Sequence, residues 1–302
     1  MPEVAIMVEG QHGLDWPRWK TVVRAVEDAG FGGLFRSDHF TNPEGPVEDA
    51  LELWTSLTWA ADHTDRIDLG PLVTPMSFRH PVFTARMGKE VDTLADGRLV
   101  LGVGAGWQER EHEMFGFDLL PVSERFDRFE EGVTVIDKLI RADPPVDFDG
   151  EYYTLEAADL RPRPDRDGGI YLLVGGNGRN RTLPIAARFA DEWNGVFLTP
   201  EDYADHVDRL EACLAEVGRD RSAMRRSLMT QVVFGRDEEE LEVALDGRDP
   251  EELRDHGVVV GTPAMVGEHL DRLDDAGVDR VMLQWLDVTD TDRLAALGEL
   301  LT

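Results

Sequence analysis

The chain has 302 residues, 42% of them hydrophobic, which suits one large α/β domain or two small ones with a sizeable core. Its 61 acidic against 31 basic residues give a formal net charge of -30, so a nucleic-acid backbone would meet repulsion over most of the surface and is not an expected partner. A single cysteine, Cys213, excludes an intramolecular disulfide.

No charged-then-apolar leader and no apolar run of about 18 residues is present, so a soluble, cytoplasmic protein without a membrane partner is expected. The basic residues include only three lysines, Lys20, Lys89 and Lys138. An acidic, lysine-poor surface suits high salt, where screening weakens self-repulsion.

Short apolar strands alternate with longer amphipathic helices. Strand one, Val4–Val8, precedes a helix over Pro17–Ala29. Strand two, Gly33–Phe35, runs into Arg36-Ser37-Asp38-His39-Phe40. Adjacent Asp and His at the carboxyl end of a buried strand stand where an α/β barrel places its chemistry. A capping Asp38 and a satisfied, partly buried His39 are the structural alternative.

A helix over Ala50–Ala61 leads to strand three, Leu69–Val73, whose end offers the Thr74 hydroxyl to the same mouth. Arg79-His80-Pro81 opens the helix Val82–Leu94 by ordinary helix-entry chemistry, with His80 structural. Strand four, Leu99–Val103, ends in Gly102-Val103-Gly104-Ala105-Gly106-Trp107. That spacing is G-x-G-x-G rather than G-x-G-x-x-G, which disfavours a nicotinamide Rossmann site. These glycines either let backbone approach a flat ligand or form a tight strand-to-helix turn.

The helix Ser123–Ile140 is followed by an insertion, Asp143–Asp167, too rich in proline for a helix. Strand five, Ile170–Val174, leads through Gly175-Gly176-Asn177-Gly178 into a helix over Thr182–Ala190. A glycine-rich turn at a helix N-terminus presents free N–H groups to an anion, and Arg179, Arg181 and Thr182 add donors suited to phosphate.

Strand six (Glu192–Phe197), the helix Tyr203–Val217 and strand seven (Ser227–Phe234) follow. A second insertion, Gly235–Val260, carries short helices outside the main pattern. The helix Ala264–Ala276, strand eight (Arg280–Gln284) and a closing helix Asp290–Leu301 complete the chain.

Eight such units predict an α/β protein built as a closed (β/α)8 TIM barrel, with insertions before strand five and after strand seven. The barrel is read as a single domain over 1–302; an open doubly wound sheet is the runner-up. The remaining histidines show no ligand spacing with carboxylates or Cys213, so no metal site is expected. No serine lies in a G-x-S-x-G elbow.

Taken together, Ser37-Asp38-His39-Phe40, Leu69–Pro75, Gly97–Trp107, Glu111-His112, Gly175–Thr182, Ala190–Asn194 and Ala276–Val281 resemble, in order, the luciferase-like monooxygenase superfamily, in particular its coenzyme F420-dependent oxidoreductase branch. The resemblance implies a barrel with a deazaflavin or flavin across the carboxyl ends of the strands. It implies that Asp38 and His39 stand beside the ring, and that Leu72, Thr74, Gly104, Gly106, Gly175 and Gly176 line the cofactor site. Arg181 and Thr182 would hold its phosphate.

It further implies a non-prolyl cis peptide at the end of strand three, aligned on Pro71–Leu72. Some members pair as dimers through helices two and three, and Leu53, Trp54, Leu57, Trp59 and Ala60 here need a cover, from a homodimer or from the chain's own loops. Some F420 dehydrogenases carry a glutamate proton donor where this chain has Ala105, a departure that argues against a sugar-phosphate dehydrogenase.

The leading expectation is hydride transfer between F420 and a small organic substrate, with His39 handling a proton or polarising the ring and Asp38 holding ring or backbone in place. One alternative is an FMN-dependent monooxygenase using reduced flavin and O2. Another is a flavin-binding barrel without turnover.

Overall fold

The computed structural model describes residues 1–163, 166 and 168–301. Twelve strands occur among them: β1 (Glu3–Val8), β2 (Gly33–Arg36), β3 (Asp68–Pro71), β4 (Thr74–Pro75), β5 (Val100–Gly104), β6 (Val146–Asp149), β7 (Thr154–Ala158), β8 (Tyr171–Gly175), β9 (Glu192–Val196), β10 (Arg225–Phe234), β11 (Val259–Gly261) and β12 (Arg280–Gln284). The helices are α1 (Trp16–Asp28), α2 (Leu53–Asp62), α3 (Pro81–Leu94), α4 (Glu109–Phe115), α5 (Val122–Arg141), α6 (Thr182–Phe189), α7 (Pro200–Glu216), α8 (Glu238–Leu245), α9 (Pro250–Asp255), α10 (Pro263–Asp275) and α11 (Thr291–Gly298). No described helix is long and apolar enough to cross a membrane.

Every pairing in the main sheet is parallel. β1 pairs with both β2 and β12, and the path continues through β10, β9, β8, β5 and β4. β2 pairs with β3. A parallel bridge between Leu69 and Leu99 joins β3 to the start of β5 and closes the ring. The eight predicted strands are therefore the eight staves of a (β/α)8 barrel, with β3 and β4 sharing one stave.

That stave is where prediction and structure part. Strand three was expected to be continuous over Leu69–Val73, but β3 ends at Pro71 and pairing resumes at Thr74. The stave pairs with β2 up to Leu72, whose N–H donates to the Arg36 carbonyl at 2.7 Å, and its pairing with β5, begun at the Leu69–Leu99 bridge, resumes at Thr74. The break falls on Leu72–Val73, which is also the cis peptide. The expected position, Pro71–Leu72, is one bond too early.

Side-chain alternation divides the core. Ala5, Met7, Phe35, Val100, Leu173, Met229 and Met282 fill the barrel interior with Leu72, while the opposite strand faces join the helices in the larger cluster. The floor is polar. Arg280, 1% exposed, reaches Glu3 at 2.7 Å, Asp68, and Glu192 at 3.5 Å. All four residues begin or closely precede the body of their strands, which puts this network at the end of the barrel away from the glycine-rich turns.

The insertion before strand five holds a hairpin of β6 and β7. Its turn is tied to α5 because the Glu131 carboxylate accepts from the N–H of Glu151 at 2.8 Å and of Tyr152 at 2.9 Å. Pro164, Asp165 and Asp167 of that predicted insertion lie outside the described residues. The second insertion supplies α8, α9 and the short strand β11 on β10.

The aromatic face of α2 is covered by the chain itself. Leu53, Trp54, Leu57 and Ala60 are buried, and Trp59 stacks on His63 at 4.0 Å beneath Lys20. Of the two covers the sequence left open, the chain's own packing serves these residues.

Candidate active site

A cavity of about 520 Å³ opens at the carboxyl ends of the strands, in the size range of small-molecule sites. Strand alternation decides what enters it. Ser37 and His39 line the cavity, whereas Asp38, between them on an extended segment, does not.

Asp38 instead accepts from the Thr74 hydroxyl at 2.7 Å and pairs with Arg79 on the outer side of the wall. Thr74 is 1% exposed and likewise absent from the lining. The sequence reading placed Asp38 and Thr74 against a ligand. The structure places them together, one layer behind it, where they fasten the β2 and β4 ends to the entry of α3.

His39 is held from the side. Its Nδ1 lies 2.8 Å from Glu111 Oε1, and the other Glu111 oxygen accepts from the Phe40 N–H at 2.8 Å. Glu111 is 1% exposed and comes from α4, a helix that the sequence reading did not assign. The Trp107 ring meets the imidazole edge-on at 5.7 Å between centroids.

Burial pulls the His39 pKa down, but the hydrogen bond and charge of Glu111, with smaller contributions from Glu9 and Asp38, more than offset it. The net pKa is raised above the ordinary 6.5.

Two further polar side chains, Glu9 and Gln284, follow β1 and end β12. Gln284 Nε2 donates to Glu9 at 2.5 Å, and Gln11 Nε2 donates to its other oxygen at 2.9 Å. Both were legible by alternation: Ala5 and Met7 point inward, so the next inward position is Glu9. Met282 points inward, so the next is Gln284.

Gly104, Gly106, Gly175, Gly176, Leu72 and Thr182 all line the cavity. Packing, however, explains two of the glycines without any ligand. A Cβ on Gly104 would stand 2.5 Å from Val73 Cγ2, and one on Gly175 would stand 2.9 Å from Val73 Cγ1. The kinked stave thus seats Val73 over both neighbouring strands. Gly176 is required by its backbone, at φ 125°.

Past Gly176, Asn177 ties the ends of β8 and β9 by bonding Val196 in both directions, at 2.7 and 2.9 Å. Asn177, Gly178 and Thr182 then border the cavity at the N-terminus of α6. Arg181 is not part of the lining. Its guanidinium pairs with Asp127 at 2.6 Å and stands over the Phe126 ring at the rim.

A parallel barrel with such a cavity at its mouth, walled by apolar side chains and bordered by a helix N-terminus, is a candidate small-molecule site. The family model for luciferase-like monooxygenases matches residues 4–250, and the chain belongs to that family.

An F420-dependent glucose-6-phosphate dehydrogenase of Kineococcus radiotolerans is 35% identical over 157 residues, 51% of this chain and 45% of the relative. The chain therefore matches about half the length of that relative. One of the same name from Amycolatopsis mediterranei is 27% identical over 91% of this chain and 81% of its own length. An F420-dependent secondary alcohol dehydrogenase solved with an F420-acetone adduct superposes with a TM-score of 0.82 over 98% of this chain and 99% of that one. At 21% identity, that likeness establishes the fold alone.

Proposed function

We propose that this chain, acting as one barrel domain, is an F420-dependent oxidoreductase that moves a hydride between F420 and a small organic substrate. The observation that carries the reading is the buried His39–Glu111 pair facing the same cavity as the Gly176–Thr182 helix entry. The relatives named for F420 support the choice of cofactor.

The residues present fit the group. Leu72, Val73 and the backbone at Gly104 and Gly175 offer a flat apolar wall, and Asn177, Gly178 and Thr182 border the helix N-terminus that suits a phosphate. When bound, F420 supplies a carrier of two electrons that reacts by hydride transfer and not with oxygen.

The chain's own task is then to manage the substrate proton and exclude water. His39 faces the cavity from a fixed rotamer, because Glu111 holds Nδ1 and leaves Nε2 as the nitrogen free to exchange a proton. In the oxidation direction, neutral His39 accepts the hydroxyl proton while the Glu111 carboxylate stabilises the resulting imidazolium. In the reduction direction, the raised pKa keeps a larger share of His39 protonated near neutrality and ready to donate. Asp38 acts through the scaffold, by fixing the β2 end against Arg79.

His39→Ala is expected to lower turnover on the order of 10²- to 10⁴-fold while changing F420 affinity little. Unchanged turnover would remove His39 from the reaction. Oxygen-dependent product formation with FMN and no F420 binding would reassign the chain to the monooxygenase class. Cofactor binding with no turnover of any carbonyl or alcohol would leave a carrier protein.

A further inference from the structure

Charge inside the cavity points to the substrate. The titratable side chains that line it are Glu9, His39 and Glu111; among the described residues no lysine or arginine does. Three guanidinium groups on flanking elements are committed elsewhere, and Arg179, exposed beside Gly178, belongs with the α6 entry. Arg79 pairs with Asp38 and Glu52, Arg125 donates to the carbonyls of Leu120 and Gly106, and Arg181 pairs with Asp127. The one anion-suited feature, the α6 N-terminus, is assigned to the cofactor.

Glu9 adds a carboxylate on the opposite side of the barrel mouth, at the ends of β1 and β12. Its charge reaches the reacting histidine, where it contributes to the raised pKa. At the opening, Trp107 and Phe197 line the cavity while remaining 61% and 40% exposed, an unusual state for large apolar rings at a functional mouth.

We propose that the substrate is an uncharged alcohol or carbonyl compound with an apolar body, carrying neither phosphate nor carboxylate. The apolar body covers Trp107 and Phe197, and a substrate hydroxyl finds acceptors at Glu9 and His39. A carboxylate or phosphate would sit beside Glu9 and Glu111, with only His39, itself paired with Glu111, to offset it, and would lose its hydration shell on entry.

The redox balance is complete with the named carrier. In oxidation, the carbinol C–H bond breaks with its electron pair leaving as hydride, the O–H proton passes to His39, and the C=O bond forms. F420 takes up the two electrons. The inference rests on the preceding functional reading for its carrier, but its charge argument concerns the pocket alone.

A matched pair of ketones tests it: cyclohexanone and 4-oxocyclohexane-1-carboxylate, titrated calorimetrically into the protein with and without F420. The neutral ketone is expected to bind at least about tenfold more tightly, equivalent to about 1.4 kcal/mol. Glu9→Gln, which keeps the shape and one of the two acceptors that now serve Gln284 and Gln11, is expected to narrow that ratio. Equal affinities, tighter binding of the carboxylate, or no binding of either ketone would overturn the proposal. Discrimination retained by a protein that fails to bind F420 would refute the cofactor assignment and leave the charge selectivity standing.

Discussion

Replacing Glu111 by Gln separates the two jobs of one buried carboxylate. Its oxygens accept from the Phe40 N–H and from His39 Nδ1, each at 2.8 Å, and the side chain is 1% exposed. Glutamine has one oxygen. If that oxygen keeps Phe40, the amide NH2 faces Nδ1 and forces that nitrogen to accept, which places the only ring proton on Nε2 and disfavours imidazolium.

If the amide turns over, the Phe40 N–H faces a donor. Either way one charge-assisted hydrogen bond is lost in a buried site, at a cost of about 1–3 kcal/mol, readable as a lower urea midpoint at unchanged slope. The effect on catalysis is larger. A histidine in the wrong tautomer lowers turnover on the order of 10²-fold.

The pH dependence carries the sign. Under the proposed mechanism oxidation requires neutral His39, so the acid limb is expected above the ordinary imidazole value, because Glu111 raises the pKa against the effect of burial. With Glu111 gone, burial is less opposed, and the acid limb moves to lower pH. A Glu111→Gln enzyme with the wild-type rate and acid limb would refute the coupling.

At the barrel floor, Arg280→Met leaves Glu192, fully buried, without its main counter-charge and is expected to cost about 3–5 kcal/mol in a denaturant melt. Burial already raises the Glu192 pKa against the pull of Arg280, so the loss shrinks as pH falls and Glu192 is protonated; a pH-independent loss would contradict this. Gly104→Ala puts a methyl 2.5 Å from Val73 Cγ2 and is expected to cost about 1–3 kcal/mol, most of it recovered in the double variant with Val73→Ala. Additive losses would show that the glycine serves something other than this packing.

The staves were legible because buried parallel strands read as Val/Ile/Leu runs, as in Val4–Val8 and Leu99–Val103. The break in strand three was not, because it belongs to how the stave is seated between β2 and β5, which is a tertiary matter. The hairpin before strand five was missed because its strands are four and five residues long and half polar.

At the site, the His39 motif was visible and Glu111 fell within the resemblance, but their pairing was not legible. Glu111 reaches His39 across 72 residues of chain, from a seven-residue helix without a strong apolar stripe. That Asp38 faces Thr74 and Arg79 while His39 faces the cavity follows from alternation, since neighbouring residues on an extended strand point to opposite faces. Glu9 and Gln284 could be found by carrying the same alternation past the inward methionines.

Equilibrium titration with F420 and separately with FMN, followed by absorption, tests the central claim most directly. The account predicts that F420 binds more tightly than FMN. It also predicts that a bulky residue in place of Gly176, whose φ of 125° and position at the α6 entry shape the phosphate end, weakens binding of F420. Saturable FMN binding with no F420 binding would contradict it.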